Sequence, residues 1–160
     1  MMTLYHGSNL KVEVPDLTHS KPFKDFGQGF YLSADKQQAW DLASQKVSQT
    51  QEGEATVSEF LFDETMMQSP SLKVLTFSGY CEEWALFVLA NRDKNVPQPV
   101  HDYDIVYGPI ADDGVTYQLR RYQGGVISLP RLVEELKYAQ GITCQYFFGT
   151  ERALQHLKKL

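Results

Sequence analysis

The stretch Phe26-Gly27-Gln28-Gly29-Phe30-Tyr31-Leu32 constrains this chain more than any other, because two glycines lead directly into an aromatic run. Without a Cβ, glycine lets a backbone approach its neighbours closely, so the segment reads as a tight entry into a short strand. Asp35 follows in a helix-capping position, and Ala39, Trp40, Leu42 and Ala43 fall roughly on one helical face behind it. By β-branched and aromatic content, further strands are expected at residues 3–7, 55–62, 72–77, 104–108 and 143–148. Helices are expected over 82–92, over 128–139 with Pro130 in the first turn, and from about 150 to 160. Strands and helices mix without regular βαβ alternation, which points to an α+β fold. The chain has 160 residues and shows no repeat, low-complexity tract or linker, so residues 1–160 read as a single domain.

Charge and composition remove several classes of function. The net charge is −5, and the basic doublets Arg120-Arg121 and Lys158-Lys159 are short and far apart. Broad phosphate-driven nucleic-acid binding is therefore disfavoured, although a few local cations suffice for a dinucleotide. Cys81 and Cys144 lack zinc-site spacing, and His6, His19, His101 and His156 are scattered, so no metal site is expected. No apolar run approaches the roughly 18 residues of a membrane span, and the N-terminal residues carry no signal pattern. A cytoplasmic protein without membrane contact is the expectation.

Three short segments carry residues suited to chemistry. In Tyr5-His6-Gly7-Ser8, the His6 imidazole can hydrogen-bond a ligand hydroxyl, and the Gly7 backbone can meet a planar carboxamide. In Gly29-Phe30-Tyr31, the phenol ring offers a flat π-surface to an electron-poor ring. This is not a dinucleotide-binding GxGxxG, because Leu32 stands at the third glycine position and no βαβ unit surrounds it. In Cys144-Gln145-Tyr146-Phe147-Phe148, Gln145 supplies a neutral amide, which orients a hydroxyl but is not a general base. Each segment alone also has an ordinary reading as a turn or core strand. The acidic pair Asp112-Asp113 before Gly114 reads most simply as a solvated turn.

In this order, the three segments resemble the His–Tyr–third-polar-residue signature of diphtheria-toxin-like and PARP-like ADP-ribosyltransferases. Over residues 3–158 the chain is also similar to a bacterial domain family of unknown function within that group. The resemblance implies two small packed β-sheets with flanking helices and an NAD cleft between them. It also implies NAD+ as the donor substrate. His6 would contact an NAD ribose, with Ser8 beside it. Gly7 would hold the nicotinamide amide, and Gly29 and Tyr31 would form the nicotinamide wall. Trp40 is the candidate for a second stacking wall, or else a core residue. Where many relatives place a nicotinamide-binding serine, this chain has Ala39, so Ser33 or Ser44 would have to compensate. Gln145 replaces the glutamate of the polymerases, which argues against chain elongation and leaves mono-ADP-ribosyl transfer or NAD hydrolysis. Glu151, six residues later, is the nearby carboxylate substitute, though an acidic residue also suits a helix N-terminus. The acceptor would be a protein or a nucleic acid, and toxin-like relatives imply an antitoxin partner. The rivals are a non-catalytic binding module on the same fold and an unrelated α+β domain.

Overall fold

The computed structural model describes residues 1–160. Seven strands form two small sheets, and five helices flank them. The first sheet contains β1 (Met2–Ser8), β3 (Thr56–Phe62) and β7 (Leu157–Lys159), all antiparallel and ordered β1-β3-β7. The second contains β2 (Phe30–Leu32), β4 (Val74–Thr76), β5 (Ile105–Pro109) and β6 (Cys144–Phe148), in the order β2-β6-β5-β4. Only β4 and β5 run parallel.

Side-chain alternation along these strands decides what the sheets bury. Leu4, Phe60 and Phe62 of the first sheet meet Phe30, Leu32, Ile105 and Phe148 of the second in one buried cluster. The Phe30–Phe60 and Phe62–Phe148 ring pairs, 5.6 and 5.3 Å apart and near perpendicular, interlock the two faces. The opposite face of the second sheet presents Val106 and Phe147 to α2 (Glu82–Arg92), α3 (Asp113–Gln123) and α4 (Leu129–Leu136). Trp84 of α2 is fully buried there, and its indole N–H donates to the Pro109 carbonyl at 2.7 Å. The outer face of the first sheet is covered by α1 (Lys36–Thr50), whose N-terminus is capped by Asp35. Gly7 permits that contact, because any Cβ there would fall onto the Ala39 carbonyl oxygen.

Several expectations need correction. The segment from Asp113 is not a solvated turn: Asp112 caps α3, accepting from the Val115 N–H at 2.8 Å, and Asp113 stands in the first helical turn. The terminal helix expected to reach residue 160 is one turn only, α5 (Glu151–Leu154), after which β7 pairs with β3. The helix expected over 128–139 is shorter and has Ser128 as its cap. The reading of Trp40 as a core residue fails, since it is exposed while Ala39 and Ala43 are buried.

The β1–β2 connection, residues 9–29, has no regular structure but is firmly held. Asp25 is buried, pairs with Arg92 and accepts from the Ala111 N–H at 2.7 Å. His101 Nδ1 accepts from the Tyr103 N–H, so Nε2 carries the proton and donates to the Phe26 carbonyl at 2.7 Å. No helix is long and apolar enough to cross a membrane.

Candidate functional site

The two sheets touch edge to edge at one place. Tyr5 and Ser33 exchange two backbone hydrogen bonds of 2.8 Å, and beyond this single bridge β1 and β2 part. The backbone groups of Tyr5 face β2, so strand alternation turns the N–H and C=O of Gly7 the same way, away from β3. The Tyr31 carbonyl faces back across the gap and accepts from His6 Nδ1 at 2.7 Å. That acceptor fixes the tautomer: Nδ1 carries the proton and Nε2 presents a lone pair. Every fully enclosed side-chain nitrogen or oxygen has a partner, so Nε2, which has none, reaches solvent.

Burial pulls the His6 pKa down to about 4 against the opposing hydrogen bond to Tyr31, with the charges of Lys46 and Lys24 helping to lower it. The imidazole is thus neutral at physiological pH. Its ring stacks on Phe30, with centroids 4.2 Å apart. A neutral, oriented imidazole with a free Nε2 is suited to accept a hydroxyl proton in a hydrogen bond.

Tyr31 is fixed at both ends. Its phenol donates to the Gly27 carbonyl at 2.7 Å and accepts from the Phe26 N–H at 3.0 Å. Burial raises its pKa well above the ordinary tyrosine value, so the phenol stays protonated and is unsuited to acid–base work. The ring lies 5.2 Å from Phe147, and the Lys24 ammonium sits 5.2 Å from its centroid. This π-surface therefore already receives a cation. Gly29 is compelled by packing, because a Cβ would collide with the Phe147 ring.

Gln145 shares the Tyr31 face, because it lies two residues from Phe147, the direct partner of Tyr31. One further step of the same register brings it level with Ser33 at the bridge. Only 4% of Gln145 is exposed, yet its amide has no hydrogen-bond partner in the protein. Since no enclosed polar atom is orphaned, that amide opens outward. Most buried polar side chains are partnered within the protein or by ordered water, so this amide is left to water or to a ligand.

The other expected residues take structural or peripheral places. Ser8 Oγ accepts from the Leu10 N–H at 3.4 Å in the turn after β1. Ser33 is engaged with Gln38 and the Asp35 N–H at the start of α1, and Ser44 is exposed. Trp40 has no aromatic neighbour and does not face Tyr31 across a measured contact. Glu151 is exposed in the first turn of α5. A groove of about 450 Å³, lined by Ser33, Asp35, Gln38, Asp41, Tyr107 and Cys144 among others, adjoins the bridge. It contains none of His6, Tyr31 and Gln145, so the trio is placed by backbone geometry and not by this groove. No group of three or more His, Cys, Asp or Glu side chains is arranged to hold a metal ion.

Sequence reasoning missed Lys24 and Lys46. Lys46 lies one turn past Ala43 and two past Ala39, on the face of α1 that packs over Gly7. That spacing was visible, but not what the face would cover.

Fold and site thus define an α+β domain of two packed sheets that part beside a neutral histidine, an unpaired glycine backbone and an open buried amide. The chain belongs to the family described as "Protein of unknown function (DUF3990)", whose model matches residues 2–159. No curated protein and no solved structure matches it.

Proposed function

We propose that this protein is a mono-ADP-ribosyltransferase that binds NAD+ in the gap between β1 and β2 and transfers ADP-ribose to a protein or nucleic-acid acceptor. The observation that carries this reading is the 2.7 Å contact from His6 to the Tyr31 carbonyl at the point where the sheets part, beside the Gly7 backbone. Residues from the first two motif segments, 25 positions apart, meet there. In this reading His6 Nε2 accepts from a ribose hydroxyl, Gly7 meets the carboxamide and the Tyr31 ring flanks the pyridinium. Gln145 orients the ribose 2′-hydroxyl. The bond from the nicotinamide nitrogen to ribose C1′ breaks and nicotinamide leaves with the electron pair. An acceptor nucleophile then bonds to C1′ and gives up its proton to solvent; water in that role makes the protein an NAD glycohydrolase.

A second reading has its own support. The trio lacks a carboxylate, and Glu151 is exposed in the first turn of α5. An amide offers only a dipole to the positive charge that develops on ribose. This favours a module that binds NAD or a partner without cleaving it.

Nicotinamide release from NAD+ separates the two. Release that requires cell lysate and is abolished in His6→Ala and Gln145→Ala supports transfer, and release without lysate supports hydrolysis. NAD-dependent thermal stabilisation without release assigns the binding module. Neither release nor stabilisation removes NAD from the proposal.

A further inference from the structure

We infer that Lys24 and Lys46 form an anion subsite on the open side of His6, which takes the diphosphate of a nucleotide whose ring end lies at Tyr31. This rests on the nucleotide-binding reading of the gap and adds the part of the ligand that the three motif segments leave unassigned.

Three observations carry it. First, both lysines are placed at the gap by unrelated elements. Lys24 comes from the β1–β2 connection, with its ammonium 5.2 Å from the Tyr31 ring centroid. Lys46 comes from α1, one turn beyond the Ala43 that lies against Gly7, and its charge acts on both His6 and Lys24. Second, neither ammonium enters an ion pair, although the chain has an excess of acidic residues and the neighbouring carboxylate, Asp25, is paired with Arg92 instead. Third, Phe23 holds a φ of 65°, a left-handed conformation that non-glycine residues rarely adopt, immediately before Lys24. Backbone of that kind persists where surrounding structure demands it, and it is concentrated at ligand sites.

The electrostatics agree. Desolvation, then Lys46 and Lys21, hold the Lys24 ammonium below the ordinary lysine range, even though the residue as a whole is exposed. Asp25 opposes this, but its charge is already met by Arg92. Two unneutralised cations close enough to act on each other and on His6 create a local positive potential on a molecule of net charge −5. A compact dianion fits that arrangement. A long polyanion is repelled by the remaining surface. The bridging diphosphate of a dinucleotide carries the matching charge.

The test uses the full chain and three probes: adenosine, AMP and ADP, with affinity measured by calorimetry at low and high salt. ADP is expected to bind more tightly than adenosine, with the advantage shrinking as salt rises. Lys24→Gln and Lys46→Gln are each expected to weaken ADP by roughly tenfold, as for loss of one charge-assisted contact, and to leave adenosine unchanged. Lys137→Gln, at the end of α4, is the control. Should Lys24→Gln disturb the loop, the exposed Lys46→Gln still decides. Equal affinity for ADP and adenosine, or ADP binding untouched by Lys46→Gln, overturns the subsite. Lysine-dependent ADP binding without any nicotinamide release keeps the subsite and removes the NAD-cleaving reading. Nicotinamide release with the same NAD+ KM in the double variant does the reverse.

Discussion

Asp104, the residue before β5, and Gln145, on the neighbouring β6, are both nearly sealed from solvent and could hardly be used more differently. Asp104 is 0% exposed and every acceptor site is filled: by the Lys73 N–H at 2.7 Å, the Thr150 hydroxyl at 2.5 Å and the Arg152 guanidinium at 3.1 and 3.2 Å. It ties β4 to the start of α5. Gln145, 4% exposed, leaves its amide unpartnered. Burying polar groups is costly, so the first arrangement explains itself through stability, whereas the second needs a ligand or water to complete it. The lesson is that burial marks an important polar residue, but satisfaction tells which kind of importance it has.

Asp104→Ala should be the most damaging change. It strands the Lys73 N–H and the Thr150 hydroxyl, with a loss of about 3 kcal/mol in denaturant unfolding. The exposure of Arg152 keeps the figure from rising further. A loss near zero would erase the contrast from its structural side.

Acid provides a second handle. His6 titrates near 4 when folded and at 6.5 when free, so the unfolded chain binds more protons between those values. Stability contributed by neutral His6 is complete above pH 6.5 and falls toward pH 4 at up to about 1.4 kcal/mol per pH unit. His101, whose pKa burial also lowers, adds to the same slope. Unfolding of His6→Phe across this window should show a visibly shallower slope; an unchanged slope would mean that His6 is solvated. Asp104 acts lower. Burial alone would raise its pKa, but hydrogen bonds from Thr150, Lys73 and Arg152 hold it below the usual carboxylate value, so its contribution is lost only in stronger acid.

Gly7→Ala tests the shared edge of the gap. The added methyl must push α1 outward, at a cost of about 2 kcal/mol by thermal unfolding, and ligand binding should fall with it. Gln145→Leu is the smallest expected effect on stability, within about 0.5 kcal/mol of wild type, since the amide it removes bonds nothing else in the protein. A loss matching that of Asp104→Ala would make Gln145 structural and collapse the comparison.

Much of the frame was legible because it depended on local signals. α2 announced itself through Trp84, Phe87 and Val88, α1 through its Asp35 cap, and β6 through its aromatic run. Two elements were missed for opposite reasons. α3 buries only Val115 and Leu119, and its Asp112-Asp113-Gly114 start mimics a turn. β7 has the composition of a helix tail and becomes a strand by pairing with Phe60, Leu61 and Phe62, nearly a hundred residues away in sequence. At the site, His6, Tyr31 and Gln145 were visible as residue types in sequence. The parting of the strands, the open amide and the seating of Lys24 over the Tyr31 ring come from long-range contacts that no local pattern encodes.

The lone Tyr5–Ser33 bridge makes the junction a seam and not a weld. At about 1 kcal/mol net for each of its two hydrogen bonds, unzipping would require only about 2 kcal/mol and leave both ladders whole. A few per cent of molecules, on the order of exp(−2/0.6), would then hold the mouth ajar at any instant. Deuterium should reach the Tyr5 and Ser33 amides well before those of Leu4 or Phe147, and equal protection would mean that the packed aromatic layer behind the seam keeps it closed. A crevice fastened so lightly can admit a flat, rigid ring without disturbing the core that shapes it.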